Sequence, residues 1–573
     1  VRRAEAAKQG FTLAPGEEGV VAELARLLDG LPLAIELAAA RVRVMSPRTL
    51  LVRMSERFKL LASSGARRDR QATLRSTFDW SWELLSAAEQ QALAQLSVFE
   101  GGFTLESAEA VLDLRSKDED AWIPAIVQSL VDKSFVQQAH NERFRLLVSV
   151  QEYGAEHLST QGRFEGSGRA AADAAQRRHI RHFASFDEDR AMAAAGADLD
   201  NLVVACRRAV ALGARDEAVK TLEASWAALR MRGPIAVTVE LANRVNSLEA
   251  LHDAERARTE RVLGAALQGL GRVDEAVQHL EHALALARAA GDDDCAARTL
   301  AVRGWVACNS SDFALARACF DEVGALAACV PDPVIEFEAH NGIGMVERGM
   351  GNLDSAREHF SAALMVTRRA GDRRREGRTL GNLGIILLEG GRVEAARELY
   401  EAALSAAREM GDRQWEGNTL CNVGLLLLLE GRFAQSRATL ETALALSRDM
   451  GVRYLEMIAL INLGIACDRL GDAPAAATAI DGALSLAHEL HDRRSEGQAL
   501  GYHGLIQARI GAFDSARRSL AKGEQLLHDV ADRASLAILQ CCRAEVEQLA
   551  GSRAAAIDAI AQAEAVAREA GTG

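Results

Sequence analysis

Three asparagines, Asn382, Asn422 and Asn462, follow one another at intervals of forty residues, and each lies two residues before a glycine that keeps the same interval. A primary amide offers both a donor and an acceptor, so amides in such a row could hydrogen-bond the backbone of an extended peptide. The same amides could instead bond across neighbouring helices and stiffen their packing. The spacing therefore predicts a peptide-binding row of side chains, with a structural row as the alternative.

Residues that support catalysis are not arranged in a pattern that we recognise. The chain has no Gly-Lys dipeptide, which a phosphate-binding loop of the form GxxxxGK[ST] requires. It has no HExxH motif and no serine nucleophile elbow. His179 and His182 have the spacing of a metal pair on one helix face, but Arg177, Arg178 and Arg181 would repel a cation. We therefore expect neither an enzyme nor a metal site, and a basic helix face around these histidines.

Composition restricts the class of protein. The 573 residues are too many for one compact core, and 49% hydrophobic but only 5% aromatic residues favour helices over sheets. The nine cysteines show no CxxC pairing, which indicates a reducing compartment. Apolar runs such as Val423 to Leu429 are far shorter than a membrane helix. We expect a cytoplasmic, mostly α protein with a net charge of -13 that does not favour nucleic acids.

A forty-residue period runs through the second half of the chain as three ladders. The glycine ladder consists of Gly264, Gly304, Gly344, Gly384, Gly424, Gly464 and Gly504. The small-residue ladder consists of Ala276, Ala316, Ala356, Ala396, Ser436, Ala476, Ala516 and Ala556. The bulky ladder consists of Leu280, Phe320, Phe360, Tyr400, Leu440, Ile480, Leu520 and Ile560. Self-similarity at a fixed period of this length predicts an α-solenoid of stacked helix hairpins.

One repeat, Gly371 to Met410, shows how the hairpin is encoded. Gly371 suits the left-handed position after a helix, and Asp372 can accept from the free amides of the next one. The first helix is predicted to end near Glu389 and the second to run over 393–410. Gly384 removes a side chain where the partner helix must approach closely.

These repeats resemble the tetratricopeptide repeat, in a lengthened form like that of kinesin-light-chain-like arrays. The resemblance covers about residues 250–570. The residues that carry it in one repeat are Leu383, Gly384, Ala396, Tyr400 and Ala403. In such arrays the first helix of each hairpin lines the concave face. The resemblance therefore implies a protein or peptide ligand on that face, beside the asparagine row.

The segment 20–44 contains the corner Gly30-Leu31-Pro32-Leu33, with proline at a natural helix start. With its flanks, and with the text RQATLRSTFDWSWELL over 70–85, it resembles the GLPLA motif of bacterial STAND signal-transduction ATPases, relatives of the NB-ARC switch proteins. The resemblance implies that Pro32 faces the adenine of ATP or ADP in a complete protein. The ATPase core is expected before Val1, so we expect no cofactor and no hydrolysis in this chain.

Residues 86–160 resemble a winged helix. The pattern predicts helices over 87–97, 105–113 and 122–133, a hairpin of strands over 135–138 and 143–147, and a closing helix after 149. Ser86 and Glu89 form a predicted capping box. If the module bound DNA, its third helix would enter the groove, yet only Gln128 and Lys133 there suit bases or phosphates.

Together these features predict a helical domain with the GLPLA motif over 1–85, a winged helix over 86–160, a linker with irregular helices over 161–249 and a solenoid over 250–573. We expect a sensor and scaffold whose repeats recognise a partner and whose winged helix couples to an upstream nucleotide switch. A transcriptional regulator that binds DNA through the winged helix is the alternative.

Overall fold

The structure is a computed structural model that describes most of the chain after residue 81. The residues described are 13, 16–27, 42, 46–52, 82, 83, 85–114, 122–133, 135–139, 142–249, 251–530 and 532–569. Contacts divide the chain into two units, Val1–Ser185 and Phe186–Gly573. Each unit has its own set of buried apolar side chains.

The first unit combines helices with a small antiparallel sheet. Its helices are α1 (Glu18–Leu27), α2 (Pro47–Val52), α3 (Ala87–Leu96), α4 (Leu105–Val111), α5 (Ile123–Asp132), α6 (Val148–Ser159) and α7 (Arg169–Ala184). Its strands are β1 (Phe103–Thr104), β2 (Val136–Gln138) and β3 (Arg143–Leu146), in the order β1-β3-β2. The helices and the hairpin predicted over 86–160 are confirmed within a few residues. The sequence analysis missed β1, which pairs Phe103 with Phe144.

The capping box that begins α3 is confirmed. The Ser86 backbone amide donates to the Glu89 carboxylate at 2.6 Å, and the Glu89 amide donates to the Ser86 hydroxyl at 3.3 Å. The prediction of a basic helix face at His179 is wrong, because this side chain is fully buried in α7. Its ring lies 5.3 Å from that of Phe99 and 4.8 Å from that of Phe183, between centroids. His179 is therefore a core residue of the first unit.

The second unit is an α-solenoid. Its helices are α8 (Glu188–Ala194), α9 (Leu199–Ala211), α10 (Arg215–Arg232), α11 (Ala236–Asn246), α12 (Asp253–Gly269), α13 (Val273–Ala290), α14 (Asp293–Asn309), α15 (Phe313–Ala327), α16 (Pro333–Gly349), α17 (Leu353–Ala370), α18 (Arg373–Glu389), α19 (Val393–Met410), α20 (Arg413–Leu429), α21 (Phe433–Met450), α22 (Arg453–Arg469), α23 (Ala473–Glu489), α24 (Arg493–Arg509), α25 (Phe513–Asp529), α26 (Arg533–Leu549) and α27 (Arg553–Glu569). Consecutive helices from α12 onwards pack as hairpins. Among the described residues, no helix is long and apolar enough to span a membrane.

The turn that opens α18 follows the sequence prediction. Gly371 has a left-handed φ of 70°, which ends α17 without the steric cost that a side chain would add. The Asp372 carboxylate accepts from the Arg375 amide at 2.9 Å and satisfies one of the free donors of the new helix. A glycine followed by a capping aspartate therefore marks where one hairpin ends and the next begins.

The glycine ladder and the bulky ladder meet within each hairpin. A Cβ on Gly384 would lie 2.7 Å from the Tyr400 ring, and one on Gly344 would lie 2.8 Å from the Phe360 ring. Both rings are at most 1% exposed. Ser436 is the one member of the small-residue ladder that is not alanine, and its hydroxyl donates to the Gly424 carbonyl at 2.8 Å. The prediction that these glycines permit close helix packing is confirmed.

The array closes on itself within the second unit. Its early turn after α10 reaches the end of α21, so that a Cβ on Gly233 would stand 2.7 Å from the Met450 Cα. The Ile235 amide donates to the Met450 carbonyl at 3.4 Å. One apolar cluster joins Ile235 and Ala266 to Met450 and Leu490. Repeats far apart in sequence are therefore in direct contact, and they surround a central space.

Candidate ligand site in the helical array

The first helices of successive hairpins, from α12 to α24, surround a cavity together with α10. Its volume is about 620 Å³. We call this space the central cavity. Cavities of roughly 300–1,000 Å³ with a few convergent polar groups are the usual size of ligand sites. The prediction that the first helix of each hairpin faces the concave side is confirmed.

All three predicted asparagines line the central cavity. Asn382 on α18 is 6% exposed, and its side-chain amide donates to the side-chain oxygen Oδ1 of Asn341 on α16 at 2.8 Å. This contact joins two neighbouring first helices, as the structural alternative requires. Asn382 therefore contributes to packing between repeats in this structure.

Asn422 and Asn462 differ from Asn382 in their surroundings. Both side chains are half-buried at the wall of the central cavity. Neither amide forms a side-chain hydrogen bond within the part of the chain that the structure describes. These two amides can therefore bond a ligand without first breaking an internal contact.

Aromatic side chains add apolar surface to the cavity wall. The Arg378 guanidinium lies 5.6 Å from the Trp415 ring centroid and at the same distance from that of Phe337. The Trp305 indole donates to the Glu338 carboxylate at 2.9 Å, whereas the buried Trp415 indole N–H has no acceptor. Flat rings beside donors suit a ligand that carries both apolar groups and acceptors.

One column of residues in the first turn of these helices keeps the forty-residue interval but not the residue type. The cavity column consists of Val334, Arg374, Gln414, Tyr454 and Arg494, all of which line the central cavity. Each of these side chains has a different size or charge from its neighbour in the column. Adjacent repeats therefore present different chemical surfaces toward the cavity.

A partly buried charge cluster forms around Glu188, which begins α8. Its carboxylate pairs with Arg230 in a short contact, with Arg375 at 3.1 Å and with Arg298 at 3.3 Å. These arginines come from α10, α18 and α14, far apart in sequence. Burial alone would raise the pKa of Glu188, but the surrounding guanidinium groups outweigh it and hold the pKa well below its usual range. Glu188 therefore stays ionised and ties α8 to the inner wall.

Arg374 is the least satisfied member of this cluster. Its side chain is 9% exposed, and its Nη1 lies 3.6 Å from the Asp412 carboxylate, while Nη2 lies 4.0 Å from Glu188. Its Nε and Nη2 atoms are buried without an acceptor. Burial, followed by the repulsion of Arg230 and Arg375, lowers the pKa of Arg374 to about 9. The folded chain thus holds a guanidinium that lacks a full counter-charge.

The sequence analysis did not find this cluster. Arg374 stands in the run Arg373-Arg374-Arg375, which reads as an ordinary charged helix start. The cavity column was the one sequence feature that could have pointed to Arg374, because Arg374 lies one repeat length before Gln414. Glu188 gives no such signal, since it lies outside the repeats.

The remaining predicted residues belong to the first unit. Pro32 lies outside the described residues. Of the two side chains considered for DNA, Lys133 pairs with Glu89 at 2.7 Å, and the Gln128 amide donates to Asp132 at 2.8 Å. Both side chains are therefore engaged in internal contacts on or near α5.

The array matches known repeat sequences. Residues 255–327, 336–409 and 378–449 match one profile of the tetratricopeptide repeat, and residues 424–489 match a second. The hairpins in these ranges are thus of the tetratricopeptide type.

Similar proteins were found among curated sequences and solved structures. An uncharacterised protein of Mycobacterium tuberculosis is 38% identical over 186 residues, which cover 32% of this chain and 45% of that protein. A protein of the same organism, provisionally named as an HTH-type transcriptional regulator, is 38% identical over 212 residues. These cover 35% of this chain and 23% of that protein. The crystal structure of a STAND protein with a tetratricopeptide repeat sensor from Pyrococcus horikoshii is 15% identical, with a TM-score of 0.39. The match covers 94% of this chain and 73% of that protein. The chain spans less than half the length of both curated relatives.

Proposed function

We propose that the second unit is a sensor that takes an extended peptide, or an extended segment of a protein, into the central cavity. The observation that carries the proposal is the pair Asn422 and Asn462, which present unbonded amides to the cavity at the interval of one repeat. Amides in such a row match the alternating donors and acceptors of an extended backbone. The aromatic groups beside them supply apolar contact for side chains of the peptide.

Binding of a fluorescent random decapeptide library to the purified chain tests this proposal. We expect saturable capture that falls at least roughly tenfold when Asn422 and Asn462 are both replaced by Ala, since each lost bond to a backbone is worth about 1 kcal/mol. Circular dichroism should show unchanged helicity. Asn243→Ala, an exposed asparagine that does not line the cavity, is the matched control. Absence of capture, or equal capture by the double variant, would contradict the proposal.

We further propose that residues 86–160 pass ligand binding on to a nucleotide switch of the STAND type. The support is the order of helices, hairpin and closing helix over this segment, together with the GLPLA-like sequence before it. In that scheme Pro32 contacts adenine in a protein that also carries a phosphate-binding loop. This chain contains no GxxxxGK[ST] motif, so the purified chain should show no ATP turnover. Measurable hydrolysis would contradict this assignment.

DNA binding by the winged helix remains the alternative, and the contacts of α5 do not favour it. Lys133 and Gln128 would each have to leave an internal partner before contacting DNA. Fluorescence anisotropy with random-sequence duplex DNA at two salt concentrations is the test. Weak binding that disappears at higher salt agrees with the sensor, whereas selection of one tight site would support a regulator. We place the protein in the cytoplasm, because its nine cysteines are all free thiols.

A further inference from the structure

We propose that the central cavity holds an anion site centred on Arg374, which binds a carboxylate or phosphate group of the ligand, and that Glu188 is its internal competitor. The inference rests on the proposed function, because it names the chemical group that the ligand brings to the same cavity. It can nevertheless be tested with small anions alone.

The fully buried polar atoms of the cavity wall that lack a hydrogen-bond partner are all nitrogen donors. They are Arg230 Nε, Arg261 Nε, Asn341 Nδ2, Arg374 Nε, Arg374 Nη2, Arg375 Nε and Trp415 Nε1. Every one is a nitrogen donor, so the described wall offers no unpaired buried acceptor in return. A buried donor without an acceptor costs roughly 1–3 kcal/mol, which a ligand rich in acceptors can recover. Carboxylates and phosphates are such ligands, and they suit guanidinium groups best.

The repeat geometry supplies an internal comparison for Arg374. Arg494 occupies the same position of the cavity column three repeats later, and its Nε lies 2.6 Å from the Asp532 carboxylate. Asp412 occupies the corresponding position for Arg374, but the nearest distance between these groups is 3.6 Å. The repeat geometry therefore permits a close ion pair at this position, but Arg374 and Asp412 stay farther apart than Arg494 and Asp532. Arg374 is available for another anion.

Without a ligand, Glu188 supplies the negative charge that stabilises the arginines of the site. Its single carboxylate lies near four guanidinium groups and makes close pairs with Arg230, Arg375 and Arg298, which leaves Arg374 at 4.0 Å. A second anion beside Arg374 would supply the missing charge. It would also compete with Glu188 for the same donors and weaken the contacts that hold α8 against the wall.

The test uses the full chain with inorganic phosphate and with glutarate, each titrated at constant ionic strength set by chloride. We expect one or both anions to change tryptophan emission saturably, through Trp415, and to raise the unfolding temperature. Arg374→Met should lose both responses, yet unfold no earlier than the unchanged protein in the absence of anion. Arg494→Met is the matched control; it should unfold earlier and keep the anion response.

Glu188→Gln should bind the same anion roughly tenfold more tightly, because its competing charge is gone. Arg374→Gln provides a second variant if Arg374→Met does not fold. A response to phosphate alone identifies a phosphorylated ligand, and a response to glutarate alone identifies a carboxylate. The proposal is overturned if neither anion gives a saturable response, or if both Arg374 variants respond like the unchanged protein. Anion binding without peptide capture would contradict the proposed function only.

Discussion

The first helices of the array have two faces that follow the same forty-residue interval in different ways. On the packing face, the glycine ladder repeats one residue type, and each glycine meets a bulky side chain of its own hairpin. On the cavity face, the column from Val334 to Arg494 changes residue type at every step. The same backbone therefore carries a constant surface toward its partner helix and a variable one toward the cavity.

The difference shows which constraint acts on each face. A glycine such as Gly384 has no substitute, because a Cβ there would collide with a ring that is itself buried. The side chain of the cavity residue Gln414 forms no hydrogen bond within the part of the chain that the structure describes, so this residue should vary without disturbing the stack. Substitutions of the ladder glycines should therefore affect stability, whereas substitutions of cavity residues without internal contacts should affect ligand binding.

The largest effect is expected at the packing face, from Gly384→Ala. The new Cβ would stand 2.7 Å from the Tyr400 ring, and forcing these groups apart should lower the free energy of unfolding by about 2–3 kcal/mol. Urea denaturation followed by circular dichroism measures it. Gly324→Ala is the matched control, because its Cβ would meet only the Ala339 Cβ at 3.7 Å. The Gly324→Ala control should leave the free energy of unfolding unchanged or raise it by up to about 1 kcal/mol. Equal losses of stability in both variants would contradict the special role of the ladder glycines.

Glu188, like Arg494, is an exception at the cavity face, since its ion pairs stabilise the fold. Its folded pKa lies below its unfolded value, so its contribution is complete above about pH 5 and is lost as the pH falls below about 4.3. We expect the loss of stability between pH 7 and pH 3.5 to be smaller in Glu188→Gln, by about 1 kcal/mol. Glu401→Gln, an exposed residue of α19, is the control. A pH profile unchanged by Glu188→Gln would show that the cluster contributes nothing to folding.

Asn382→Ala should cost about 1 kcal/mol, because it removes the bond to Asn341 and leaves a buried amide without partners. Thermal and urea unfolding report the change. A neutral result would mean that this contact does not couple the two neighbouring repeats.

The smallest effect is expected from Asn422→Ala, below about 0.5 kcal/mol, since its amide has no internal bond to lose. The same unfolding measurements apply to Asn422→Ala and to Asn382→Ala. If the Asn422 variant is the less stable of the two, our assignment of one amide to packing and the other to ligand is reversed.

The sequence alone was sufficient for the parts of the fold that depend on local rules. Gly371 and Asp372 mark the helix boundary because a left-handed residue and a side-chain cap are local requirements. The spacing of Gly384 and Tyr400 likewise gives the hairpin contact. In the first unit, β1 was not predicted because a strand of two residues has no detectable periodicity. The environment of His179 was predicted wrongly because its sequence neighbours are charged, although the residue itself is buried.

The candidate site was only partly predictable. The interval identified Asn422 and Asn462, but it could not distinguish them from Asn382, whose partner Asn341 breaks the two-residue offset from the glycine ladder. The meeting of Glu188 with Arg375 depends on how the whole array curves. That curvature is a sum of small rotations between repeats, and no single residue encodes it.

The contact of Gly233 and Ile235 with Met450 changes how the array should respond to damage. In an open solenoid each repeat touches only its neighbours, so stability is a sum of local terms and unfolding starts by fraying from an end. Here the repeats that meet form a closed ring, and opening it anywhere breaks contacts between segments distant in sequence. The repeats inside the ring should therefore unfold as one cooperative block, while α25 to α27, outside it, remain free to fray.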